Sequence, residues 1–132
     1  MIVIDASVLA SALADDGDDG AAARLIVREA GALSAPDLVD IETVSVFRKW
    51  WRAGNLTVPR FRSAVDDLDD LALDRYPTGG FMHRAYELRA NVTPADAAYV
   101  ALAEALDCPL VTADERLARA PGPRCEFQVL RP

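Results

Sequence analysis

At 132 residues, 52% hydrophobic and 27% charged, the chain can form one sizeable core and is too apolar to be disordered. Its net charge of −7 argues against a general nucleic-acid coat, which needs a basic surface, while acids gathered at a metal would be compatible with it. No apolar run approaches the ~20 residues that span a bilayer, and MIVID lacks the basic start of a signal peptide, so a cytoplasmic protein of one domain (1–132) is expected.

MIVI is a β-branched run, the pattern of a strand buried on both faces, and it ends at Asp5. ASVLASALA continues with helical spacing, and Asp15–Gly20 makes a polar break before a second helix, AAARLIVREA, which ends near Gly31. ALSAP is a short strand whose Pro36 suits the first turn of the next helix. That helix, which Gly54 stops, has Leu38, Ile41, Val44 or Ser45, and Phe47 on one face. LTVPRFRSAVDDLDDLALD holds another helix, where Asp66, Asp67, Asp69 and Asp70 alternate with Val65, Leu68 and Leu71 as a solvated face does. LDRYP predicts a short strand, and residues 80–90 a further helix. Thr93-Pro94-Ala95-Asp96 opens a long helix, CPLVT is a buried strand, ADERLARA a short helix and CEFQVL the last strand. Strands alternating with helices indicate an α/β fold with a mainly parallel sheet.

Four acids stand out by position. Asp5 ends a buried strand at the carboxyl edge of the sheet, where open α/β folds bind ligands, yet an N-cap role explains it equally well. Ser7 either supports that carboxylate or is itself the cap. Thr93, Pro94 and Asp96 form a capping-box variant, and Asp114 with Thr112 suits the start of the helix after CPLVT. Glu42 lies about a turn inside its helix beside Ile41, where capping explains it poorly, while its neighbour Asp40 points to another, solvated side. Glu104 and Glu115 read as exposed helical acids. Two carboxylates ~4 Å apart repel by about 4 kcal/mol at an effective dielectric of 20. A fold that gathers such acids therefore calls for a cation, and hard oxygen ligands suit Mg²⁺ or Mn²⁺.

Other candidates are weaker. Cys108 and Cys125 do not make a disulfide scaffold or a zinc knuckle and read as small apolar residues. His83, the only histidine, reads as a surface or packing residue. Of 14 basic residues only Lys49 is a lysine; Arg48, Lys49, Arg52, Arg60 and Arg62 either contact phosphates or balance an acidic surface. Trp50 and Trp51 either stack bases or, as adjacent tryptophans at a helix end more often do, pack in a core or an interface.

These stretches resemble the PIN-domain ribonucleases, in particular the VapC-type toxins of bacterial and archaeal toxin–antitoxin pairs. MIVIDASVL is similar to that family's opening strand with its first acid, Asp5, and APDLVDIETVSVFRKW to the block that contributes Glu42. TPADAAYVALAEALDCPLVTADERLA is similar to the block supplying Asp96 and Asp114, and is the most specific part of a likeness that covers nearly the whole chain. Ser45 stands where many relatives have Asn, and Arg116 and Leu117 where some have another acid.

The resemblance implies a three-layer α/β/α sandwich with a central, mainly parallel sheet. It implies Mg²⁺- or Mn²⁺-dependent endoribonucleolytic hydrolysis of RNA by the toxin of a type II toxin–antitoxin system. On that view Asp5, Asp96 and Asp114 hold a metal, and Glu42 holds a second metal or orients the attacking water. It also implies a homodimer and a cognate antitoxin that lays a helix or tail over a groove. The helix bearing Trp50 and Trp51 and its neighbour are expected to meet one of these partners. The competing expectation is a catalytically weak or inactive PIN-like binding module whose acids merely cap helices. A receiver or haloacid-dehalogenase domain fits poorly, because the chain lacks a D-x-D after its first strand and a lysine near the last ones.

Overall fold

The apolar run Ile2–Ile4 becomes strand β1, buried along its whole length at the centre of a five-stranded sheet. The computed structural model describes residues 1–131. Beside β1 lie β2 (Leu33–Pro36) and β4 (Leu110–Thr112), with β3 (Asp74–Tyr76) and β5 (Phe127–Val129) at the edges, in the order β3-β2-β1-β4-β5. Every pairing is parallel: Ile2 faces Leu33, Val3 faces Leu110, Ser34 faces Asp74 and Leu110 faces Phe127. Inner parallel strands bury both faces, which is why MIVI and PLVT are continuous apolar runs rather than alternating ones.

Helices α1 (Ala6–Ala14) and α2 (Asp18–Ala30) connect β1 to β2, and α3 (Val39–Arg52) and α4 (Val58–Asp70) connect β2 to β3. A 3-10 turn (Thr78–Phe81), α5 (Met82–Glu87) and α6 (Pro94–Leu106) lead to β4, and α7 (Glu115–Arg119) to β5. The chain steps outward from β1 to β2 and β3, then crosses back to β4 on the other side of β1. Right-handed crossovers then put α6 on the face opposite α1–α4, giving three α/β/α layers. The same reversal opens a crevice at the carboxyl ends of β1 and β4, where open sheets bind ligands.

The main core surrounds the sheet, with Val3, Ile4, Leu9, Val100, Leu110 and Val111 almost fully buried. A smaller cluster of Ala10, Ala14, Phe47, Leu56 and Ala64 ties α1, α3 and α4 together, and Phe47 meets Phe61 edge-on at 5.9 Å.

Several local expectations are corrected. Pro36 ends β2 rather than opening α3; it pairs only with Tyr76 of β3, and the β1 pairing has stopped at Ser34, so its missing N–H costs little. The buried stripe of α3 is Val39, Thr43 and Phe47, whereas Ile41 is 75% exposed. α2 starts at Asp18, inside the expected break, because Asp18 and Asp19 suit a helix N-terminus and Arg24 donates to the Asp15 carbonyl at 2.8 Å. At Gly20 a Cβ would stand 1.7 Å from that same carbonyl oxygen, so only glycine closes the turn. α5 ends at Glu87, as the chain turns to bring Thr93 to the cap of α6.

Two acids expected to be solvated are in fact clamps. Asp40 accepts two hydrogen bonds from Arg75, at 2.8 and 3.0 Å, joining α3 to β3. Glu104 accepts two from Arg84, at 2.8 and 2.9 Å, joining α6 to α5, and a third from the Arg124 N–H at 2.7 Å. Burial pushes the Glu104 carboxyl up, but those donors outweigh it and hold it below its usual range. Cys108 is buried and Cys125 half-buried, and burial pushes the Cys125 thiol up to about 11. His83 is exposed.

Candidate active site

Helices that return from a parallel sheet run antiparallel to its strands, so their N-termini collect at the carboxyl edge. Each of the four acids sits at such a start. Asp5 is the N-cap of α1: its Oδ1 accepts the Val8 N–H at 3.1 Å and the Ser7 hydroxyl at 2.6 Å. Ser7 is thus the supporting residue and not the cap. The other oxygen of Asp5 accepts the hydroxyl of Thr112, at the end of β4.

Asp114 is the N-cap of α7, its Oδ1 accepting the N–H groups of Arg116 and Leu117 at 2.9 and 3.2 Å. Its own N–H donates to Thr112 Oγ1 at 3.1 Å, so this one threonine braces both acids. Asp96 is the third residue of α6, and its N–H donates to the capping Thr93 hydroxyl at 3.2 Å. Glu42 lies in the first turn of α3, not a turn deeper, because the helix starts only at Val39. It makes no cap; its Oε1 accepts the hydroxyl of Tyr99 at 2.7 Å.

The fold brings all four acids together on one cleft of about 400 Å³, which Ser45 and Tyr99 also line. Capping and convergence are therefore compatible, since a helix N-terminus both needs an acceptor and points at this edge. No Arg, Lys or His lines the cleft, and none of the four acids forms an ion pair among the described residues.

The missing countercharge has a visible effect. Burial pushes the Asp5 carboxyl above its usual range, against the pull of hydrogen bonds from Ser7, Thr112 and Val8. Burial also raises Glu42; the Tyr99 hydroxyl opposes this, while the charges of Asp96 and Asp5 add to it. Asp96 is raised by burial and by the charges of Asp5 and Asp114, with Thr93 opposing. Burial and the neighbouring Glu42 hold the Tyr99 phenol far above its ordinary value, so it is a firm donor.

Among the described residues, no three His, Cys, Asp or Glu side chains stand at metal-ligand spacing as they lie. The hydrogen bonds explain this, because caps hold Asp5 and Asp114 while Tyr99 holds Glu42. The donor set itself is all carboxylate oxygen with uncompensated charge, which suits a hard divalent cation and not a soft one.

Two polar residues that brace these acids, Tyr99 and Thr112, lie outside the set that the sequence marks as supports. Tyr99 follows Asp96 by three positions, a spacing that puts both on one helix face, and that was the available signal. The sequence reads Thr112 only as a helix starter. Of the candidate phosphate-binding residues, Arg48, Lys49, Arg52 and Arg62 are exposed and lie outside the cleft. Arg60 is held by Asp16 at 3.2 Å and the Leu13 carbonyl at 2.9 Å.

A PIN domain family model matches residues 2–123. Over 130 residues the chain is 43% identical to VapC ribonuclease Mb0985 of Mycobacterium bovis, covering 98% of each. Its identity to Ribonuclease VapC1 of Mycobacterium tuberculosis is 39%, over 98% of this chain and 97% of that protein. Two solved structures share the fold. VapC20 of Mycobacterium tuberculosis, described as a Sarcin-Ricin loop cleaving toxin, aligns with a TM-score of 0.64 at 14% identity over 83% of this chain and 87% of that one. VapBC2 from Rickettsia felis, bound to a DNA fragment from their promoter, aligns with a TM-score of 0.63 at 13% identity over 99% and 100%.

Proposed function

The chain belongs to the PIN-domain family of VapC-type proteins, and from that premise we propose that it is the endoribonuclease toxin of a type II toxin–antitoxin system. The supporting observation is the uncompensated cluster: four carboxylates, from four helix starts, on one cleft that no cation among the described residues lines. A divalent cation, Mg²⁺ or Mn²⁺, would be held by Asp5, Asp96 and Asp114, with Glu42 beside it. When bound it would neutralise charge on the scissile phosphate and make water a better nucleophile.

The chain's own groups divide the remaining work. Asp5, buried and fixed by three donors, is the rigid anchor. Asp114 keeps its second oxygen clear of its cap. Glu42 has Oε1 fixed by Tyr99, which leaves Oε2 to orient the attacking water and accept its proton.

A cognate antitoxin and a second copy of the chain are the partners of this reading, in the cytoplasm where RNA is found. The VapBC2 likeness supports the first. Trp51, Val58, Phe61 and Val65, which line an open apolar surface, support a protein contact. No helix among the described residues is long and apolar enough to cross a membrane.

Asp96→Ala is the cleanest test, because the carboxylate of Asp96 caps nothing. The folded variant is expected to lose Mn²⁺-dependent RNA cleavage by about 100-fold or more. Wild-type cleavage by that variant would remove Asp96 from the mechanism. Calorimetric titration with Mn²⁺ separates the competing module: absence of binding to the folded, antitoxin-free chain would favour it.

A further inference from the structure

Beside the acid cleft lies another of about 490 Å³ that shares Asp96 and Asp114 with it and runs past Thr93 and Asn91 to α7. The cations lining it are Arg116 and Arg119. Arg119 is paired with Glu115 at 3.2 Å. The Arg116 guanidinium has no acid partner and no hydrogen bond among the described residues. Its backbone is nonetheless fixed to the site, since the Arg116 N–H donates to Asp114 Oδ1 at 2.9 Å. None of Arg48, Lys49, Arg52, Arg60 and Arg62 lines either cleft.

A strand of phosphates approaching four carboxylates is repelled, and an ion among the acids neutralises only the phosphate it touches. The next phosphate along needs its own cation, and an arginine fork matches a phosphate's oxygens. We propose that the Asn91–Arg116 cleft is the subsite for the nucleotide flanking the scissile bond of an RNA strand, with the Arg116 guanidinium holding its phosphate. Asn91 and Thr93 form the neutral polar wall of this subsite. The assignment rests on the endoribonuclease reading and adds to it a binding residue outside the acids.

The test is steady-state cleavage of a single-stranded RNA oligonucleotide in Mn²⁺ by the full chain over a range of salt concentrations. Arg116→Ala is expected to raise KM about tenfold with kcat within about twofold, and to flatten the slope of log KM against log salt by ~0.7, the share of one phosphate on a single strand. Arg116→Lys, which keeps the charge, should recover most of the affinity. Arg28→Ala, an exposed charge change on α2 outside both linings, should behave as wild type. An unchanged KM and salt slope in Arg116→Ala, an equal loss in Arg28→Ala, or a fall in kcat alone would overturn the subsite. If Asp96→Ala is inactive in the same assay, the nuclease reading survives that result. A wild-type chain that cuts no RNA in Mn²⁺ overturns both.

Discussion

Glu42 and Tyr99 act as one unit: a carboxylate at the edge of a cleft, held at 2.7 Å by the hydroxyl of a tyrosine that is 2% exposed overall. Tyr99→Phe keeps the ring and its packing but removes the donor. The variant is expected to stay folded, lose about five- to tenfold in kcat, and shift the acid limb of its pH–rate profile upward. The sign follows because the lost hydrogen bond is what lowers Glu42's proton affinity. An unmoved acid limb would mean that another group titrates there. The raised carboxyls of Asp5, Glu42 and Asp96 also bear on stability. Between the unfolded and folded values these groups bind more protons in the folded chain, so stability falls as pH rises through that window. Glu104 and Asp37 are lowered and act oppositely, their contribution being lost as pH falls through their folded values. Glu42→Gln can still accept from Tyr99 while removing one charge. In EDTA at pH 7 it should gain about 1 kcal/mol, a few degrees in Tm, with a flatter dependence of Tm on pH. A lower Tm in that thermal melt would refute the repulsion argument.

At the scale of elements, the site depends on helix starts, and the starts depend on clamps. Glu104 lies on the helix that carries Asp96 and Tyr99, and its pair with Arg84 leaves the two side chains 13% and 18% exposed. Arg84→Ala leaves that carboxylate with only the Arg124 N–H as a hydrogen-bond donor, and a loss of about 2 kcal/mol is expected in urea unfolding, between the values of exposed and fully buried pairs. A loss below about 0.5 kcal/mol would show that solvent replaces the clamp. Strand and helix order was legible in the sequence, because β-branched runs, Thr-Pro caps and glycine stops are local signals. The phase of α3 was not. Leu38, Ile41 and Phe47 fit a helical stripe as well as Val39, Thr43 and Phe47 do, and only packing against the rest of the fold puts Ile41 outside. Nor does helical spacing reveal that Asp40 and Glu104 are clamps, since Arg75 and Arg84 lie 35 and 20 residues away in sequence.

For the whole molecule, a cation that binds only the folded chain stabilises it by mass action. Mn²⁺ at about 100 times its Kd should add about 2.7 kcal/mol and raise Tm, and Asp96→Ala should abolish most of that increment. An equal rise in wild type and variant would place the ion elsewhere. The sequence by itself determined the succession of strands and helices, the likeness to PIN-domain ribonucleases, and which acids stand at strand ends and helix starts. These are properties of residues near one another along the chain. Only the tertiary structure decided that Asp5, Glu42, Asp96 and Asp114 line one cleft, that Tyr99 and Thr112 brace these acids, and that Arg116, without an acid partner among the described residues, borders them. The contacts of Tyr99 with Glu42 and of Thr112 with Asp5 join residues 57 and 107 positions apart. Such contacts follow from the strand order, in which β4 returns to lie beside β1, and no local spacing encodes that return.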